Sequence, residues 1–483
     1  MQDWWRGSVT YQVYPRSFQD SVGNGIGDLP GITRRLDHIA ALGADAVWLS
    51  PIFTSPMADM GYDVSDYTDV DPLFGTLADF DAMTARAHAL GLKVIIDQVL
   101  SHSSAQHPFF KESRSSRNNP KSDWYVWAEP RPDGTPPNNW VSVFGGSAWE
   151  WDSRRRQYYL HNFLASQPDF NFHNPDVQDW LLGTMRFWLD RGVDGFRLDT
   201  VNYYFHDAAL RSNPPAPGND TAPAVNPYEM QLHLYSKTQP ENIGFLQRMR
   251  ALLDEYEDRA MVGEVGESHR AVQVMADYTK GDGRLHMAYS FDMLGPQFTA
   301  AHFRNHIQNF FSGAPDGWPC WAFSNHDVVR HATRWQDHDA GGDALARLAC
   351  AMLLSFPGSV CLYQGEELGQ TETDILFQEL TDPPGKAFWP DYKGRDGCRT
   401  PMVWDATAHG GFTTGTPWLP VKPPQAARHV AGQGAGSVLA FYREMLAFRR
   451  TEPALRTGPC RFLDVAEPVL ACIRGMGDRK SVV

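Results

Sequence analysis

Short runs of apolar and β-branched residues alternate along the chain with longer stretches of helical periodicity. Such runs predict buried parallel strands, and the stretches between them predict the helical crossovers of βα units. The predicted strands are the eight segments 8–15, 44–52, 92–100, 193–201, 259–265, 286–291, 319–327 and 359–367. Because eight parallel strands with intervening helices close into a barrel, this pattern predicts an α/β fold of the (β/α)₈ TIM-barrel type.

The helical stretches carry start and stop signals. "LPGITRRLDHIAALG" and "ADFDAMTARAHALG" each end in glycine, which is typical of a helix C-terminus. "NPDVQDWLLGTMRFWLDRG" begins with Asn174 as a cap and has Pro175 in its first turn. We predict helices over these three stretches, and a closing helix over "SVLAFYREMLAFRRTEPALRTG".

Two long interruptions divide the chain into regions. Residues 101–170 are rich in Pro, Asn, Trp and Tyr and predict a small inserted domain after the third strand. Residues 370–435 are rich in Pro and Gly and predict a long excursion over the barrel mouth after the eighth strand. The barrel is then expected over 1–100 and 171–450. Residues 451–483 suffice for about two strands, so we expect an incomplete C-terminal β region there.

The composition narrows the possible partners. The net charge is −14 and the basic clusters are short, whereas a protein that binds phosphates needs a basic face, so nucleic acid is not expected as a partner. The first residues lack the apolar core of a signal peptide, and no run approaches the ~20 apolar residues of a membrane span. Six cysteines without metal-ligand spacing favour reduced thiols. We expect a soluble, cytoplasmic protein that does not bind membranes, of an oligomeric state that the sequence does not predict.

Ionisable residues lie at the ends of four predicted strands. Asp97 ends the third strand, Arg197 and Asp199 the fourth, Glu264 the fifth and Asp327 the seventh. In a barrel of this type the C-terminal strand ends meet at one mouth, where catalytic groups are found. We therefore expect these side chains to converge on one site, and a rim of structural ion pairs is the alternative.

The types of residue point to glycoside hydrolysis, which needs one carboxyl group as an acid and one that is ionised. Arg197 and Asp199 are two apart on a strand and point to the same side, so the guanidinium is expected to keep Asp199 ionised, as a nucleophile requires. Glu264 lies among valines and glycines, where burial and a nearby Asp199 are expected to hold its proton, as a general acid requires. His102 and His326 can donate hydrogen bonds to sugar hydroxyls.

These segments together resemble glycoside hydrolase family 13, the α-amylase family, over nearly the whole chain to about residue 470. "GFRLDTV" is similar to the family's nucleophile segment, "MVGEV" to its acid/base segment and "FSNHD" to the segment that ends in a transition-state-stabilising aspartate. The resemblance implies Asp199 as nucleophile, Glu264 as acid/base and Asp327 as the third essential carboxylate of a retaining enzyme. "DQVLSHSS" is similar to the third-strand segment, with Ser101 where many members have Asn. "QPDFNFHNP" is similar to the segment that marks the oligosaccharide-acting branch.

Further segments resemble those that build a closed pocket in this branch, that of the bacterial α-glucosidases. "ADMGYDVSDY" is similar to a segment that grips a terminal glucose, which implies roles for Asp59 and Tyr62. "GCRTPMVWD" is similar to a segment whose arginine, here Arg399, pairs with that aspartate. Phe144 and Phe163 are implied as aromatic walls. Such a pocket implies exo-action on short, maltose-like α-glucosides.

The loop "DSVGNGIGD" at 20–28 resembles a calcium-binding loop. We predict a structural Ca²⁺ or Mg²⁺ ion held by the side chains of Asp20, Asn24 and Asp28 and the carbonyl of Ile26. Val22 brings no oxygen to this set and Gly31 stands where a bidentate Glu would close an EF-hand loop, so a loop ordered by Asx turns alone is the alternative. The chemistry itself is expected to need no cofactor.

The favoured function is an exo-acting α-glucosidase that hydrolyses α-1,4 links, with transglucosylation as a side reaction. Thr200 follows the nucleophile, and in the branch that the chain resembles a hydroxylated residue there goes with α-1,4 preference and Val with α-1,6 preference. A dedicated α-glucosyltransferase or a sucrose- or trehalose-type isomerase on the same site remains the main alternative. A non-catalytic binding protein is a further alternative, and it would not need the three carboxylates.

Overall fold

The computed structural model describes residues 3–217, 225–338, 342–476 and 479–482. Its strands, in chain order, are β1 Val9–Val13, β2 Ala46–Leu49, β3 Phe53–Thr54, β4 Asp66–Val70, β5 Lys93–Gln98, β6 Trp127–Ala128, β7 Trp149–Asp152, β8 Gln157–Leu160, β9 Gly195–Leu198, β10 Ala260–Val265, β11 Met287–Ser290, β12 Cys320–Trp321, β13 Ser359–Tyr363, β14 Cys460–Phe462, β15 Cys472–Met476 and β16 Arg479–Val482.

The helices, in chain order, are α1 Leu29–Leu42, α2 Leu77–Ala89, α3 Pro108–Ser113, α4 Pro175–Asp190, α5 Asn242–Leu253, α6 Ala271–Thr279, α7 Ala300–Gly313, α8 His331–Arg334, α9 Asp343–Ser355, α10 Pro383–Ala387, α11 Pro423–Ala426, α12 Val438–Thr451 and α13 Pro453–Arg456. The capping residues that the sequence predicts are found at the ends of α4 and α1. The side chain of Asn174 accepts a hydrogen bond from the N–H of Asp176 at the start of α4, and Gly43 ends α1 in the left-handed conformation at φ 103°. None of the helices in the described parts of the chain combines the length and the apolar character that crossing a membrane requires.

Eight strands form one parallel sheet in the order β11-β10-β9-β5-β2-β1-β13-β12. An isolated parallel bridge between Ala288 and Pro319 connects its two edge strands, so the sheet is nearly closed into a barrel. All eight lie within the eight segments that the sequence predicts, and the predicted TIM-barrel fold is confirmed. The seventh strand is shorter than predicted, because the chain leaves the sheet after Trp321 and the segment with Asp327 is a loop beyond it.

The core has two layers, because the barrel strands are buried on both faces. The larger layer lies between the sheet and the surrounding helices, and it includes Phe196, Leu198 and Val265. A smaller cluster that includes Trp48, Ile95 and Val262 lies inside the barrel. Side chains alternate along a strand, so Asp97 and Glu264 face the same side as Ile95 and Val262 and continue the inner layer upward into the barrel mouth.

Two excursions surround that mouth. Between β5 and α4 the chain contains α3 and the three-stranded sheet β6-β8-β7, in the region predicted as an inserted domain. Between β13 and α12 it contains only α10, α11 and short 3-10 turns, in the region predicted as a long excursion. Both segments supply side chains to the cavity described below.

The C-terminal part differs from the sequence prediction in two respects. The predicted closing helix is broken, because Pro453 cannot continue α12 and starts the short helix α13 instead. Three strands follow rather than about two, and β14, β15 and β16 form an antiparallel sheet. Residues 477–478 and 483, on which the prediction of an incomplete β region also falls, lie outside the described residues.

Candidate active site

Three predicted site residues meet around the guanidinium of Arg197 at the barrel mouth. Arg197 is fully buried, and its Nη1 lies 2.8 Å from Asp97 Oδ1 and 2.7 Å from Asp199 Oδ1. Its Nη2 contacts Glu264 Oε1. β5, β9 and β10 are neighbours in the sheet, so the register of the barrel produces this cluster. The sequence prediction that these strand ends converge is thereby met in the structure.

Hydrogen bonds fix the two central carboxyl groups. Glu264 accepts from the hydroxyl of Tyr289 at 2.8 Å and from the N–H of Thr200 at 3.2 Å. The hydroxyl of Thr200 lies 3.3 Å from Asp199 Oδ2. Tyr289 in turn accepts from Arg197 Nη2 at 2.9 Å. Asp199 and Glu264 are therefore held on two neighbouring nitrogens of one guanidinium.

Burial governs the protonation of this cluster. It raises the pKa of Asp199 and that of Glu264 to about 7 each, against the opposing effect of Arg197. It also raises the pKa of Asp97 to about 6. One positive charge serves three carboxyl groups, so our expectation that Arg197 alone keeps Asp199 ionised is corrected. Near neutral pH the Asp199–Glu264 pair shares protons, which gives one acid and one carboxylate at a time.

Asp327 lies on the opposite side of the site under different electrostatics. Its Oδ1 is 2.9 Å from Arg399 Nη2 and 3.2 Å from Arg395 Nη1, and its Oδ2 is 3.3 Å from His326 Nε2. Burial disfavours its ionised form, but His326 and the two guanidiniums outweigh this and lower its pKa. Burial lowers the pKa of His326 to about 3, so this imidazole is neutral. Asp327 is a permanent negative charge in the site, unlike Asp199 and Glu264.

The pocket end is closed by an ion pair other than the predicted one. Asp59 Oδ1 lies 2.8 Å from Arg395 Nη2, whereas Arg399 bonds to Asp327 and to the carbonyl of His326. The expected Asp59–Arg399 pair is therefore wrong. Arg395 stands four residues before Arg399 in the same segment, and it also bonds to the buried Asp382 at 2.6 Å. Asp59 and Arg395 line the cavity at this end, and Asp382 lies buried behind Arg395.

Neutral hydrogen-bonding groups complete the closed end. Tyr62 lies with its ring stacked on His326, and its hydroxyl contacts Asp97 and His326. His102 Nε2 lies 3.0 Å from the carbonyl of Tyr62, and Gln167 donates to Asp59 Oδ2 at 3.1 Å. Ser101 bonds to His102 Nδ1 at 2.8 Å, so the serine found in place of asparagine still orients this imidazole.

The cavity above these groups has a volume of about 630 Å³. Phe144 and Phe163 line it, their ring centroids 5.6 Å apart, and the guanidinium of Arg395 lies 5.0 Å over Phe144. The other predicted site residues on its surface are Asp59, Tyr62, His102, Asp199, Thr200, Glu264 and Asp327. Arg197, His326 and Arg399 lie behind this surface, fully buried, and act on it through the side chains they touch.

Sequence reasoning missed four groups of this site: Arg395, Asp382, Tyr289 and Gln167. Gln167 stands in "QPDFNFHNP", so a signal was present for it, and Arg395 lies two residues before the segment "GCRTPMVWD" that contains Arg399. Asp382 and Tyr289 carry no local signal, since one lies in an irregular excursion and the other is an ordinary strand aromatic. Their roles arise only from the closed barrel and from the return of the excursion across its mouth.

The residues of the predicted cation loop do not fit a cation as they are arranged. Asp20 accepts hydrogen bonds from the N–H groups of Val22, Gly23 and Gly25 at 2.9, 2.8 and 2.7 Å, and from Thr413. Burial opposes its ionisation, but these donors outweigh it and lower the pKa of Asp20.

The other ligands predicted for that loop are engaged as well. Asp28 accepts from Ser21 at 2.9 Å and caps α1 through Gly31 at 2.7 Å, and Asn24 accepts from Ile26 at 2.9 Å. Within the described ranges, no group of three or more His, Cys, Asp or Glu side chains is placed to hold a metal. The structural Ca²⁺ or Mg²⁺ ion stays a prediction, and the loop conformation matches the Asx-turn alternative.

Comparisons with known proteins agree with this geometry. A family model described as "Alpha amylase, catalytic domain" matches residues 12–458. A "Probable alpha-glucosidase" of Rhizobium meliloti is 58% identical over 486 residues, which cover 99% of this chain and 88% of that protein.

Among solved structures, that of an alpha-glucosyl transfer enzyme, XgtA, superposes with a TM-score of 0.97 at 55% identity, over 100% of this chain and 91% of that chain. The trehalulose synthase MutB of Pseudomonas mesoacidophila superposes with a TM-score of 0.90 at 35% identity, over 99% of this chain and 90% of that chain. Each of these three relatives is an enzyme by name, which leaves the non-catalytic alternative without support.

Proposed function

This chain belongs to the α-amylase family of glycoside hydrolases, and on that premise we propose that it is a retaining, exo-acting α-glucosidase. It hydrolyses α-1,4-linked glucose from the non-reducing end of short, maltose-like oligosaccharides and transfers some glucosyl groups to acceptors other than water. The observation that carries the proposal is the pair of carboxyl groups of Asp199 and Glu264 on one guanidinium, within a pocket closed at one end.

The spacing of the two carboxyl groups supports retention. Retaining enzymes have carboxyls ~5–5.5 Å apart, and inverting enzymes leave ~6.5–9.5 Å for an intervening water. The terminal nitrogens of Arg197 bridge Asp199 and Glu264 directly, which favours the shorter separation. Asp199 attacks the anomeric carbon while Glu264 donates its proton to the leaving oxygen. Glu264 then takes a proton from the acceptor that releases glucose from Asp199.

The protonation of the pair suits the roles of Asp199 as nucleophile and Glu264 as acid/base. With the pKa of both groups raised to about 7 by burial, the pair holds an acid and a carboxylate near neutral pH. Arg197 stabilises whichever of the two is charged. Asp327 stays ionised and faces the positive charge that develops on the sugar ring in the transition state.

The closed end supports exo-action. Asp59 and Arg395 form an ion pair on the cavity surface, backed by the buried Asp382, and this pair presents both donors and acceptors to hydroxyl groups of a terminal glucose. Phe144 and Phe163 offer apolar faces to the ring. A longer chain could therefore enter only by its non-reducing end.

A second candidate is a dedicated α-glucosyltransferase or a sucrose isomerase on the same groups. The observation that favours it is the apolar part of the cavity lining, where Val143, Val225 and Phe291 disfavour water as the acceptor. Both candidates share the covalent glucosyl-enzyme, and they differ only in what releases it.

The deciding experiment incubates the enzyme separately with maltose, with sucrose and with p-nitrophenyl α-glucoside and identifies the products over time by proton NMR and chromatography. An α-glucosidase releases glucose from maltose, and from p-nitrophenyl α-glucoside, where glucose comes only from the cleaved bond, it releases α-glucose first. Release of β-glucose first from the aryl glucoside would reject retention. Accumulation of a sucrose isomer, or of larger oligosaccharides without free glucose, would favour the second candidate.

A further inference from the structure

A buried ammonium group lies beside the active-site cavity, and among the described residues it bonds to no carboxylate. Lys237 is 1% exposed, and its Nζ donates to the carbonyl of Gly266 at 2.7 Å, to the hydroxyl of Tyr228 at 3.0 Å and to that of Tyr203 at 3.1 Å. These three bonds use all three protons of the ammonium group. Because burying a charge against neutral acceptors is costly, such a group indicates a role in the site that it adjoins.

The two phenols form a close pair. The hydroxyls of Tyr203 and Tyr228 lie 2.6 Å apart, and both side chains line the cavity. Burial raises the pKa of Tyr203 and of Tyr228, so both keep their protons. One of the two phenolic protons forms the bond between them. The other has no acceptor among the hydrogen bonds of the described residues and is available to a ligand in the cavity.

The cluster has a fixed position relative to the acid/base. Gly266 stands two residues after Glu264, and its carbonyl accepts from Asn202 Nδ2 at 3.0 Å as well as from Lys237. A Cβ atom at Gly266 would lie 3.0 Å from a ring carbon of Tyr203, so glycine permits the close approach. The phenols therefore lie on the cavity wall next to the segment that directly follows Glu264.

That wall faces the leaving group rather than the terminal glucose. An acid that protonates the glycosidic oxygen stands beside that oxygen, so the groups beyond it border the departing sugar or the incoming acceptor. Resting on the α-glucosidase function proposed above, we propose that Tyr203 and Tyr228, oriented by Lys237, donate a hydrogen bond to a hydroxyl of the leaving-group sugar. Lys237 is a positioning residue in this arrangement, because its own protons are taken.

The test compares two substrates that share the terminal glucose and differ in the leaving group. The leaving glucose unit of maltose carries hydroxyls, whereas the p-nitrophenyl group of bound p-nitrophenyl α-glucoside carries none. The quantity measured is the ratio of kcat/KM for maltose to kcat/KM for the aryl glucoside. This ratio does not depend on the fraction of active enzyme, so it stays meaningful for a variant that is only partly folded.

In the double variant Tyr203→Phe/Tyr228→Phe we expect the ratio to fall about tenfold, the effect of losing one such bond. Lys237→Met should lower it several-fold, because the phenols lose the charge that orients them. Tyr158→Phe is the matched control, since that hydroxyl bonds to Gly134 in the inserted domain, and the ratio should stay at the wild-type value.

A ratio within twofold of wild type in the double variant overturns the inference. If the double variant does not fold, the two single variants are measured instead. The inference expects at least one of them to lower the ratio threefold or more, and it is overturned if neither changes the ratio. A parallel loss on both substrates would assign the cluster to structure alone and likewise reject the inference. A wild-type enzyme inactive on both substrates would instead reject the proposed function.

Discussion

At the scale of single residues, the site is organised by three guanidiniums, one at Asp199 and Glu264 and two at Asp327. Arg197 faces Asp97, Asp199 and Glu264, so its one charge leaves an excess of carboxyl groups that hold protons near neutral pH. Arg395 and Arg399 together face Asp59, Asp327 and Asp382, and Asp327 contacts both guanidiniums, which lower its pKa. Asp199 and Glu264 share one arginine with Asp97, whereas Asp327 contacts two arginines, and their pKa values are shifted in opposite directions. The sequence of each single strand does not show how many arginines a carboxyl group will contact.

The choice between Arg395 and Arg399 shows where sequence reasoning reached its limit. The two lie four residues apart, and the resemblance of "GCRTPMVWD" assigned Arg399 as the partner of Asp59, whereas the structure pairs Asp59 with Arg395. The short 3-10 turn Asp396–Cys398 separates them and turns their side chains to different neighbours. Only the path of the excursion determines that Arg395 reaches Asp59.

We predict that Asp59 is energetically coupled to Arg395 more strongly than to Arg399. In a double-mutant cycle on kcat/KM for maltose, Asp59→Asn with Arg395→Met should give a coupling of about 2 kcal/mol, because each single change leaves a buried charge unpaired. The same cycle with Arg399→Met should give about half that or less, since Arg399 acts on Asp59 only at longer range. An equal or larger coupling to Arg399 would contradict the assignment.

Thr200 lies where its side chain can affect which glycosidic linkage the enzyme prefers. Strand β9 ends at Leu198, so strand alternation no longer applies, and Thr200 adopts φ 40° and lines the cavity. Its hydroxyl lies 3.1 Å from that of Ser101 and 3.3 Å from Asp199. A β-branched residue at positive φ is unusual and marks a position where function outweighs backbone preference.

We predict that Thr200→Val shifts the preference from α-1,4 toward α-1,6 links. Val keeps the shape and the backbone strain, so the change removes only the hydroxyl, an effect of roughly 1 kcal/mol. The ratio of kcat/KM for maltose to that for isomaltose should exceed one in the wild type and fall about fivefold or more in the variant. A wild type that favours isomaltose, or an unmoved ratio, would remove Thr200 from the linkage choice.

At the scale of elements, the strands were predictable and the loops that complete the site were not. The eight barrel strands are apolar on both faces because helices cover the sheet, and that composition is visible in the sequence. The hydrogen bonds of the loop at 20–28, in contrast, could not be predicted from its sequence. Its alternating oxygens resemble a cation site, yet backbone N–H groups and Thr413 occupy Asp20, and Thr413 is almost 400 positions away in the chain.

The closing helix α12 joins the barrel through one buried arginine. Arg449 is 1% exposed and donates to the carbonyls of Leu354, Gly358 and Leu455 at 2.6, 2.7 and 3.0 Å. Leu354 lies near the end of α9, Gly358 directly before β13 and Leu455 in α13. No carboxylate bonds to it among the described residues, so its charge is stabilised by main-chain oxygens alone.

We predict that Arg449→Met destabilises the fold by about 3 kcal/mol or more, because several buried carbonyls lose their donor at once. The melting temperature should fall by roughly 3 °C or more, and activity at low temperature should persist because the site is distant. Arg450→Met is the matched control, since that neighbour has a half-exposed side chain and should change stability by less than about 0.5 kcal/mol. Equal effects of the two changes would show that Arg449 contributes only as a surface residue does.

At the scale of the whole molecule, buried titratable groups make stability depend on pH in opposing directions. Seven histidines are held neutral, chiefly by burial, with pKa values lowered to about 3 or 4: His102, His107, His206, His233, His286, His326 and His331. In the unfolded chain these imidazoles take up protons below pH ~6.5, so they make the folded state more stable as pH rises to that value. Asp199 and Glu264 act the other way, because burial raises their pKa to about 7.

The last prediction isolates one of these groups through Glu264→Gln. In the unfolded chain Glu264 releases its proton near pH ~4.3, whereas burial raises its pKa in the folded state to about 7. Its contribution to stability is therefore full below pH ~4.3 and is lost as pH rises toward 7. The variant has no such loss, so its melting temperature should exceed that of the wild type by an amount that grows between pH 5 and 7 and then levels, reaching a few degrees at pH 8.

Glu150→Gln, at an exposed position of the inserted domain, should show no difference that changes with pH. Thermal scans at pH 5, 6, 7 and 8 measure this, and a wild type that gains on the variant as pH rises would show that Arg197, rather than burial, controls the charge of Glu264. The expected result would mean that the proton needed by the acid catalyst is retained at the expense of stability at alkaline pH.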